Sequence, residues 1–224
     1  MPDWGLSLYL EAGNGLRLLM DTGSSFHKLE RNARALGLDL TCLDAIFISH
    51  WHADHSAALP DLLAHMDRKV PVFAPRRPGW LMRQQLWLRA RQLRQASTEL
   101  VEVREARELL PGFWSTGDLG GEHALVAVLE GSGLVIMTGC SHPGPREVVR
   151  AALAALGGIR PHALIGGFHI SSYREGAELG RFLSEHGFRL VCPCHCTGLE
   201  AKKGIKDAFS GTTLQCGVGR RVEL

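Results

Sequence analysis

The chain contains 224 residues, of which 45% are hydrophobic and 21% are charged. A chain of this size and composition can bury one large core, so we expect a single domain over residues 1–224. The formal net charge is only +2 at pH 7, which excludes the strong basic bias of a general nucleic-acid-binding protein.

The N-terminus and the cysteines indicate where the protein works. Residues 1–5 lack the basic start and apolar core of a secretion signal. No apolar run approaches the roughly 18 residues that a membrane helix needs. The six cysteines show no paired framework, and three of them fall within residues 192–196, where bridging to one another is awkward. We therefore expect a cytoplasmic protein with reduced cysteines and no membrane attachment.

Short β-like runs alternate with helical patterns, and most are bounded by Gly, Pro or Asp. Strands are predicted at 6–11, 16–20, 45–49, 70–74, 100–104, 124–130, 133–138, 163–167 and 189–192. Helices are predicted at 25–36, 56–66, 80–96, 145–156, 175–186 and 199–209. This mixture indicates an α/β layer fold.

A dense group of metal-ligand residues follows the apolar run at 45–49, where the chain reads His50-Trp51-His52-Ala53-Asp54-His55. In an extended segment the side chains of His50 and His52 lie on the same side. The turn that follows brings Asp54 and His55 toward a neighbouring position. Histidine nitrogen and aspartate oxygen are ligands of zinc, which lowers the pKa of bound water to about 7. The loop therefore predicts a metal site, and its two half-sites predict two ions.

This loop resembles the H-x-H-x-D-H signature of the metallo-β-lactamase-fold superfamily. Asp21-Thr22-Gly23 matches the superfamily's early Asp-x-Gly turn, which braces the metal loop, and His195 ends a strand where the superfamily has its last ligand. The resemblance spans about residues 6–200. It implies an αββα sandwich, with two mixed β-sheets face to face, helices on the outer faces and metals at one edge between the sheets.

Three further strings resemble one branch of that superfamily, named for 7,8-dihydropterin-6-methyl-4-(β-D-ribofuranosyl)aminobenzene-5′-phosphate synthase. They are Thr138-Gly139-Cys140-Ser141-His142-Pro143-Gly144, Ile165-Gly166-Gly167-Phe168-His169 and Cys194-His195-Cys196-Thr197-Gly198. The name of the branch implies a transferase that forms a C–C or C–N bond.

The chain departs from the superfamily pattern in its middle. The usual Gly-His-Thr-x-Gly turn corresponds here to residues 116–121, which contain no histidine. Cys140 stands where a bridging Asp is usual, and His142 follows two residues later. We expect His142 to be a ligand. Cys140 as a ligand would favour softer coordination, of a structural or iron type.

The remaining histidines and cysteines divide into two groups. His169 is left open between a metal ligand and a residue that binds substrate. Cys194 and Cys196 flank His195, but a separate zinc knuckle needs a second ligand pair, and none is spaced for it. The other histidines are predicted to be surface or packing residues; they are His27, His65, His123, His162 and His186.

The segment from Arg76 to Arg94 holds six arginines and no acidic residue. One interpretation is a solvated helix whose apolar residues pack inward. The other is a lid beside the metal site, whose arginines bind phosphate or carboxylate on the substrate. Nucleic acid is disfavoured because four glutamates follow between residues 99 and 108.

Together these patterns predict a binuclear metallohydrolase. His50, His52 and His142 are predicted to hold one ion, and Asp54, His55 and His195 to hold or orient the second. A metal-bound hydroxide would attack an ester-type small-molecule substrate. The arginine-rich segment would suit a substrate that is anionic or phosphorylated. Asp54 is the predicted proton acceptor and His169 a predicted donor to the substrate, so these two are the catalytic candidates.

The cofactors expected are two divalent ions, zinc first, with iron or manganese as alternatives. The partner is a small-molecule substrate rather than a membrane or a nucleic acid, and the oligomeric state cannot be inferred from the chain. Two other functions stay open at this point: the dihydropterin-related synthase, and a non-catalytic metal or redox sensor.

Overall fold

The computed structural model describes residues 3–75, 80, 84 and 99–224. The chain forms two compact units, of which the first ends at Arg104 and the second begins at Glu105. Each unit contains one mixed β-sheet with helices. The prediction of a single domain stays a prediction. The arginine-rich segment, predicted as a helix over 80–96 and as a candidate lid, lies outside the described residues except for residues 80 and 84.

The first unit is built on a five-stranded sheet with the strands in chain order. The strands are β1 (Leu8–Glu11), β2 (Arg17–Met20), β3 (Ala45–Phe47), β4 (Val72–Ala74) and β5 (Leu100–Glu102). β1 and β2 are antiparallel, and β2 through β5 are parallel. The helices are α1 (Phe26–Ala35), α2 (Ala53–Ser56) and α3 (Leu59–His65), with a 3₁₀ turn at Leu40–Cys42.

The core of the first unit explains why β3 reads as an unbroken apolar run. All three residues of β3 are buried, as expected for a central parallel strand that is covered on both faces. Ile46 packs in one cluster with Leu19 of β2 and with Leu59 and Leu62 of α3. This buried strand delivers the metal-ligand loop, since the loop begins directly after it.

The second unit is built on a seven-stranded sheet in the order β12-β11-β10-β9-β8-β7-β6. The strands are β6 (Glu105–Leu110), β7 (Phe113–Gly117), β8 (Leu125–Leu129), β9 (Gly133–Thr138), β10 (Pro161–Gly167), β11 (Leu190–Cys194) and β12 (Thr212–Thr213). The helices are α4 (Pro145–Ala155), α5 (Tyr173–Glu185) and α6 (Leu199–Ala208). β6 through β9 are antiparallel, whereas β9 through β12 are parallel.

The parallel half of this sheet positions the second group of ligand residues. Because β9, β10 and β11 are parallel neighbours, the loops that follow them meet at one edge of the sheet. These loops carry His142, His169 and His195 respectively.

The structure differs from the predicted elements in two respects. The helix predicted at 56–66 begins later, at Leu59, where Pro60 lacks an N–H and suits the first turn of α3, and Ser56 ends the separate single turn of α2. The strands β6, β7 and β12 were not predicted. β6 shows no apolar alternation, since four of its six residues are exposed, and it gains its pairing from β7 rather than from its own pattern.

Cys192 and Cys216 form a disulfide, with Cα atoms 5.9 Å apart, so the expectation that no cysteines pair is wrong for these two. Because β12 pairs with β11 in parallel, the segment after Thr213 lies alongside β11, where Leu214 N donates to Val191 O at 2.8 Å. Cys42, Cys140, Cys194 and Cys196 do not form disulfides.

Within the described ranges, none of the helices combines the length and the apolar character needed to cross a membrane.

Candidate metal centre

The loop after β3 brings His50 and His52 together at their ring nitrogens. His50 Nε2 lies 3.1 Å from His52 Nδ1, and the two rings meet edge to face with centroids 4.5 Å apart. Two nitrogens bound to one tetrahedral ion at about 2.0–2.1 Å lie about 3.3 Å from each other. The separation therefore fits two ligands of a single ion.

Asp54 and His55 lie in the single turn of α2, beside that pair. The His55 ring centroid lies 4.1 Å from that of His50, and His55 Nε2 lies 3.5 Å from Asp54 Oδ2. His55 is fully buried, Asp54 is half-buried and His52 is exposed. The structure thus brings the four predicted ligands of this loop together, with one end in the core and the other at solvent.

Asp21 anchors this loop from the end of β2. Its buried carboxylate accepts hydrogen bonds from Ser49 N, Ser49 Oγ and His55 Nδ1, each at 2.7 Å. Asp21 has φ of 58°, a left-handed conformation that costs a non-glycine residue roughly 1–2 kcal/mol. The geometry agrees with the bracing role expected for the Asp-x-Gly turn.

These bonds orient the two buried histidine rings. A carboxylate only accepts, so His55 donates from Nδ1 to Asp21. Ser49 donates its hydroxyl proton to Asp21 and therefore accepts from His50 Nδ1 at 3.0 Å. Nε2 of each ring then lies beside another predicted ligand, His52 for His50 and Asp54 for His55. The role of Ser49 was missed by the sequence analysis.

Glu122 performs the same task in the second unit and was also missed. Its buried carboxylate accepts from the backbone N–H groups of Cys140, Ser141 and His142 at 2.7–2.9 Å, and from His142 Nδ1 at 2.7 Å. The bond to Nδ1 orients the His142 ring, as outer carboxylates orient the histidine ligands of metal sites. The sequence signal was an acidic residue directly after the paired Gly120-Gly121, immediately beyond the residues where a histidine was sought.

The loops after β9, β10 and β11 hold strained backbone at their ligand residues. The φ angles are 59° at Ser141 and 48° at both His169 and His195. Across the described residues, these three and Asp21 are the non-glycine residues with positive φ. Strain of this kind concentrates at functional sites, where the surrounding structure holds a side chain in one direction.

Two groups of ligand atoms form at this edge of the second unit. One contains Cys140, His142 and His169, and the other contains Cys140, His195 and Cys196; within each group the ligand atoms lie within 4.8 Å of one another. The rings of His142 and His169 have centroids 4.8 Å apart. Cys140, which was expected to stand near the ligands, is thus common to both groups.

The two cysteines that flank His195 differ in acidity. Desolvation raises the pKa of the Cys194 thiol to about 12. A hydrogen bond with the Cys140 side chain, helped by hydrogen bonds with His169, lowers the pKa of the Cys196 thiol below its ordinary value. Cys196 is therefore the better nucleophile and metal ligand of the two.

The string Gly166-Gly167 is required by close packing at the same edge. A Cβ atom on Gly166, which has φ of 133°, would lie 2.0 Å from Thr138 O. A Cβ atom on Gly167 would lie 2.4 Å from Gly139 O and 2.7 Å from Cys196 Sγ. The glycines let β10 approach both β9 and the cysteine loop.

The histidines expected to be surface or packing residues agree with that expectation. His27, His65 and His186 are exposed and His162 is half-buried. His123 is buried, with Nδ1 2.8 Å from Ser115 Oγ.

The chain resembles known proteins in sequence and in fold. The model of the beta-lactamase superfamily domain matches residues 16–116. The 7,8-dihydropterin-6-methyl-4-(beta-D-ribofuranosyl)-aminobenzene-5'-phosphate synthase of Methanocaldococcus jannaschii is 24% identical, over 93% of this chain and 86% of that protein.

Two solved structures share the fold. Tm1679, a metal-dependent hydrolase of the beta-lactamase superfamily, has a TM-score of 0.74 and 26% identity, covering 99% of this chain and 92% of that one. The short form of human tRNase Z has a TM-score of 0.57 and 14% identity, covering 87% of this chain and 86% of the tRNase Z chain. At this identity the two proteins are alike in fold alone.

The predicted resemblance to the metallo-β-lactamase-fold superfamily and the predicted fold class of two mixed β-sheets flanked by helices are therefore confirmed. The chain is also similar to the M. jannaschii synthase along nearly its whole length, as the three branch strings indicated.

Proposed function

We propose that this protein is a metal-dependent hydrolase that uses two divalent ions on an ester-type small-molecule substrate. The observation that carries the proposal is the pair of buried carboxylates, Asp21 and Glu122, each of which binds Nδ1 of a histidine among the predicted ligands, His55 and His142 respectively, at 2.7 Å. Such carboxylate–histidine pairs are typical of metal sites, because they fix the ring and increase its basicity. The similarity to the hydrolase Tm1679 supports the reaction class.

The ligand assignment that we propose follows residue type and the superfamily pattern. The proposed ligands are His50, His52, Asp54 and His55 of the first unit and His142 and His195 of the second. Imidazole nitrogen with carboxylate oxygen favours zinc, and iron or manganese can be held by the same set. A purely oxygen-ligated ion such as calcium fits poorly, because histidines dominate the set.

Bound ions of this kind would supply Lewis acidity and a water-derived nucleophile at neutral pH. The chain's own residues supply the rest. Asp54 is half-buried and has a carboxylate oxygen 3.5 Å from His55 Nε2, so it can accept a proton beside the ligands. His169 is exposed and its backbone conformation is fixed by the loop after β10, which suits a donor to a substrate oxygen.

A second candidate is the synthase activity named for the M. jannaschii protein, which the similarity over 93% of this chain favours. That reaction joins two substrates rather than adding water. It would require pockets for an aromatic ring and a ribose phosphate. The exposed Tyr173 is a candidate to line one of these pockets.

The test is a substrate screen on zinc-, iron- and manganese-loaded protein, with a phosphodiester, a phosphomonoester, a lactone and a thioester. We expect turnover of at least one ester, lost in Asp54→Asn and kept in Asp44→Asn, a matched control that lies away from the loop and binds Arg17 N and Arg68. Product formation from a ribofuranosylaminobenzene phosphate and a dihydropterin that carries a leaving group on its 6-methyl carbon, with release of that group and without turnover of any ester, would overturn the hydrolase in favour of the synthase.

A further inference from the structure

Two thiols and one imidazole converge at the edge of the second unit. The ligand atoms of Cys140, His195 and Cys196 lie within 4.8 Å of one another. Cys140 is buried, and the other two are half-buried. The sequence shows no second ligand pair spaced for a separate zinc knuckle at Cys194 and Cys196, but the fold brings a further thiol, Cys140, from the loop after β9.

The backbone holds these groups in place. His195 is fixed with φ of 48°, and Thr197 N closes the turn by donating to Cys194 O at 3.0 Å. On the other side, Cys140 N donates to the buried Glu122 carboxylate at 2.8 Å. Cys196 Sγ lies 3.7 Å from Cys140 O, so the two loops are in direct contact.

The room around Cys196 is also built into the chain. The missing side chain of Gly167 leaves the space that Cys196 Sγ and the His195 ring occupy, since a Cβ atom there would lie 2.7 Å from the sulfur and 3.3 Å from His195 Cδ2. A glycine at this point keeps both donor groups on the same side of the β10 backbone.

We propose that Cys140, His195 and Cys196 form a thiolate-containing metal site within the second unit. Two sulfurs and one nitrogen are a soft to borderline donor set, which selects zinc, iron(II) or cobalt(II) over magnesium and calcium. His142 and His169 lie within 4.8 Å of Cys140 and are the candidates for the fourth position. The inference rests on the proposed function in one respect, that His195 is a metal ligand, and it names Cys140 and Cys196 as its partner ligands within the second unit.

The test is a cobalt(II) titration of the full-length protein under reducing, anaerobic conditions. We expect a near-ultraviolet thiolate-to-cobalt charge-transfer band that weakens in Cys196→Ser and in Cys140→Ser and disappears in the double variant. Cys194→Ser is the matched control, because Cys194 lies beside His195 yet belongs to neither ligand group among the described residues; its band should equal that of the wild type. A band that persists in the double variant would overturn the proposal.

Two further measurements keep the result independent of folding and of the proposed function. Zinc loaded into the unmodified protein should show X-ray absorption scattering from sulfur at about 2.3 Å. Nitrogen and oxygen neighbours alone would overturn the site without any variant. The band should also remain in the double variant His50→Ala/His52→Ala, which removes two proposed ligands of the hydrolase. Loss of ester turnover can therefore be distinguished from loss of the thiolate site.

Discussion

The carboxylate of Asp21 accepts a hydrogen bond from Nδ1 of His55 at 2.7 Å, and both residues are fully buried. This buried bond fixes the His55 ring so that its other nitrogen, Nε2, lies 3.5 Å from Asp54 Oδ2. Asp21 is therefore a positioning residue: it need not touch a metal to decide how His55 and, through Ser49, His50 present their lone pairs.

Replacing Asp21 by Asn should lower metal affinity by about 10- to 100-fold, because outer hydrogen-bond partners of ligand histidines contribute that much. The asparagine amide has the shape of the carboxylate, but its NH2 group is a donor. It would stand where the Asp21 oxygen accepts from Ser49 Oγ and His55 Nδ1, which are donors themselves. Zinc affinity measured by competition with a chelator checks this, with Asp44→Asn as the control. Unchanged affinity in Asp21→Asn would show that His55 is positioned by other contacts.

Replacing Glu122 by Gln should destabilise the metal-free protein by about 1–3 kcal/mol, because the carboxylate satisfies three consecutive backbone N–H groups and His142 Nδ1. Urea unfolding measures the loss. The control is Glu178→Gln, whose ion pairs with Arg146 and Arg174 lie at the surface and contribute at most about 1 kcal/mol. Equal effects of the two substitutions would contradict the central role of Glu122.

His169 and His195 should reverse the usual order of glycine and alanine. Both have φ of 48°, so His→Gly relieves strain that His→Ala keeps, and each glycine variant should be more stable than its alanine counterpart by about 1 kcal/mol. Thermal unfolding of the metal-free variants is the measurement. In a helix interior the difference has the opposite sign, so an Ala-over-Gly order here would mean that the left-handed conformation is not maintained.

Gly166→Ala should destabilise the protein by about 2 kcal/mol or more, since the new Cβ atom would lie 2.0 Å from Thr138 O at φ of 133°. Gly13→Ala is the matched control, because no heavy atom lies within 4 Å of a Cβ atom at that position. Denaturant midpoints of the two variants should differ clearly. A tolerated Gly166→Ala would show that β9 and β10 can move apart.

The N-terminus of α5 should show a pH-dependent contribution to stability. Ser172 and Glu175 form a capping box, and hydrogen bonds from the Ser172 side chain and backbone lower the pKa of Glu175. Since the folded pKa lies below the unfolded one, the contribution is full above the ordinary glutamate pKa and is lost as pH falls through the folded value. Glu175→Ala should therefore cost about 1 kcal/mol at pH 7 and less at pH 3. A cost that is the same at both pH values would contradict this.

Much of the candidate site could be predicted from the sequence, because its ligands follow strands and lie close together in the chain. The loop from His50 to His55 needs only one buried strand to expose it, and an apolar run such as residues 45–49 marks such a strand. His169 and His195 were recognisable in the same way, since each stands at the end of a predicted strand.

The supporting residues could not be predicted, because their partners are distant in sequence. Glu122 reaches His142 across 20 residues only through the β8–β9 hairpin, and Cys140 reaches Cys196 across 56 residues through two parallel strands. Ser49 looked like an ordinary strand-end residue, since its role depends on Asp21 being 28 positions away and buried. Such pairs are set by register and tertiary packing, which local pattern does not contain.

Metal analysis of the protein purified without added metal is the measurement that shows whether the histidines bind divalent metal. We expect near two ions per chain of zinc, iron or manganese, falling to about one in His142→Ala and unchanged in His186→Ala, an exposed histidine outside the site. A metal-free protein that also fails to bind added zinc, iron or manganese, or a metal content that His142→Ala leaves unchanged, would show that these histidines are not ligands.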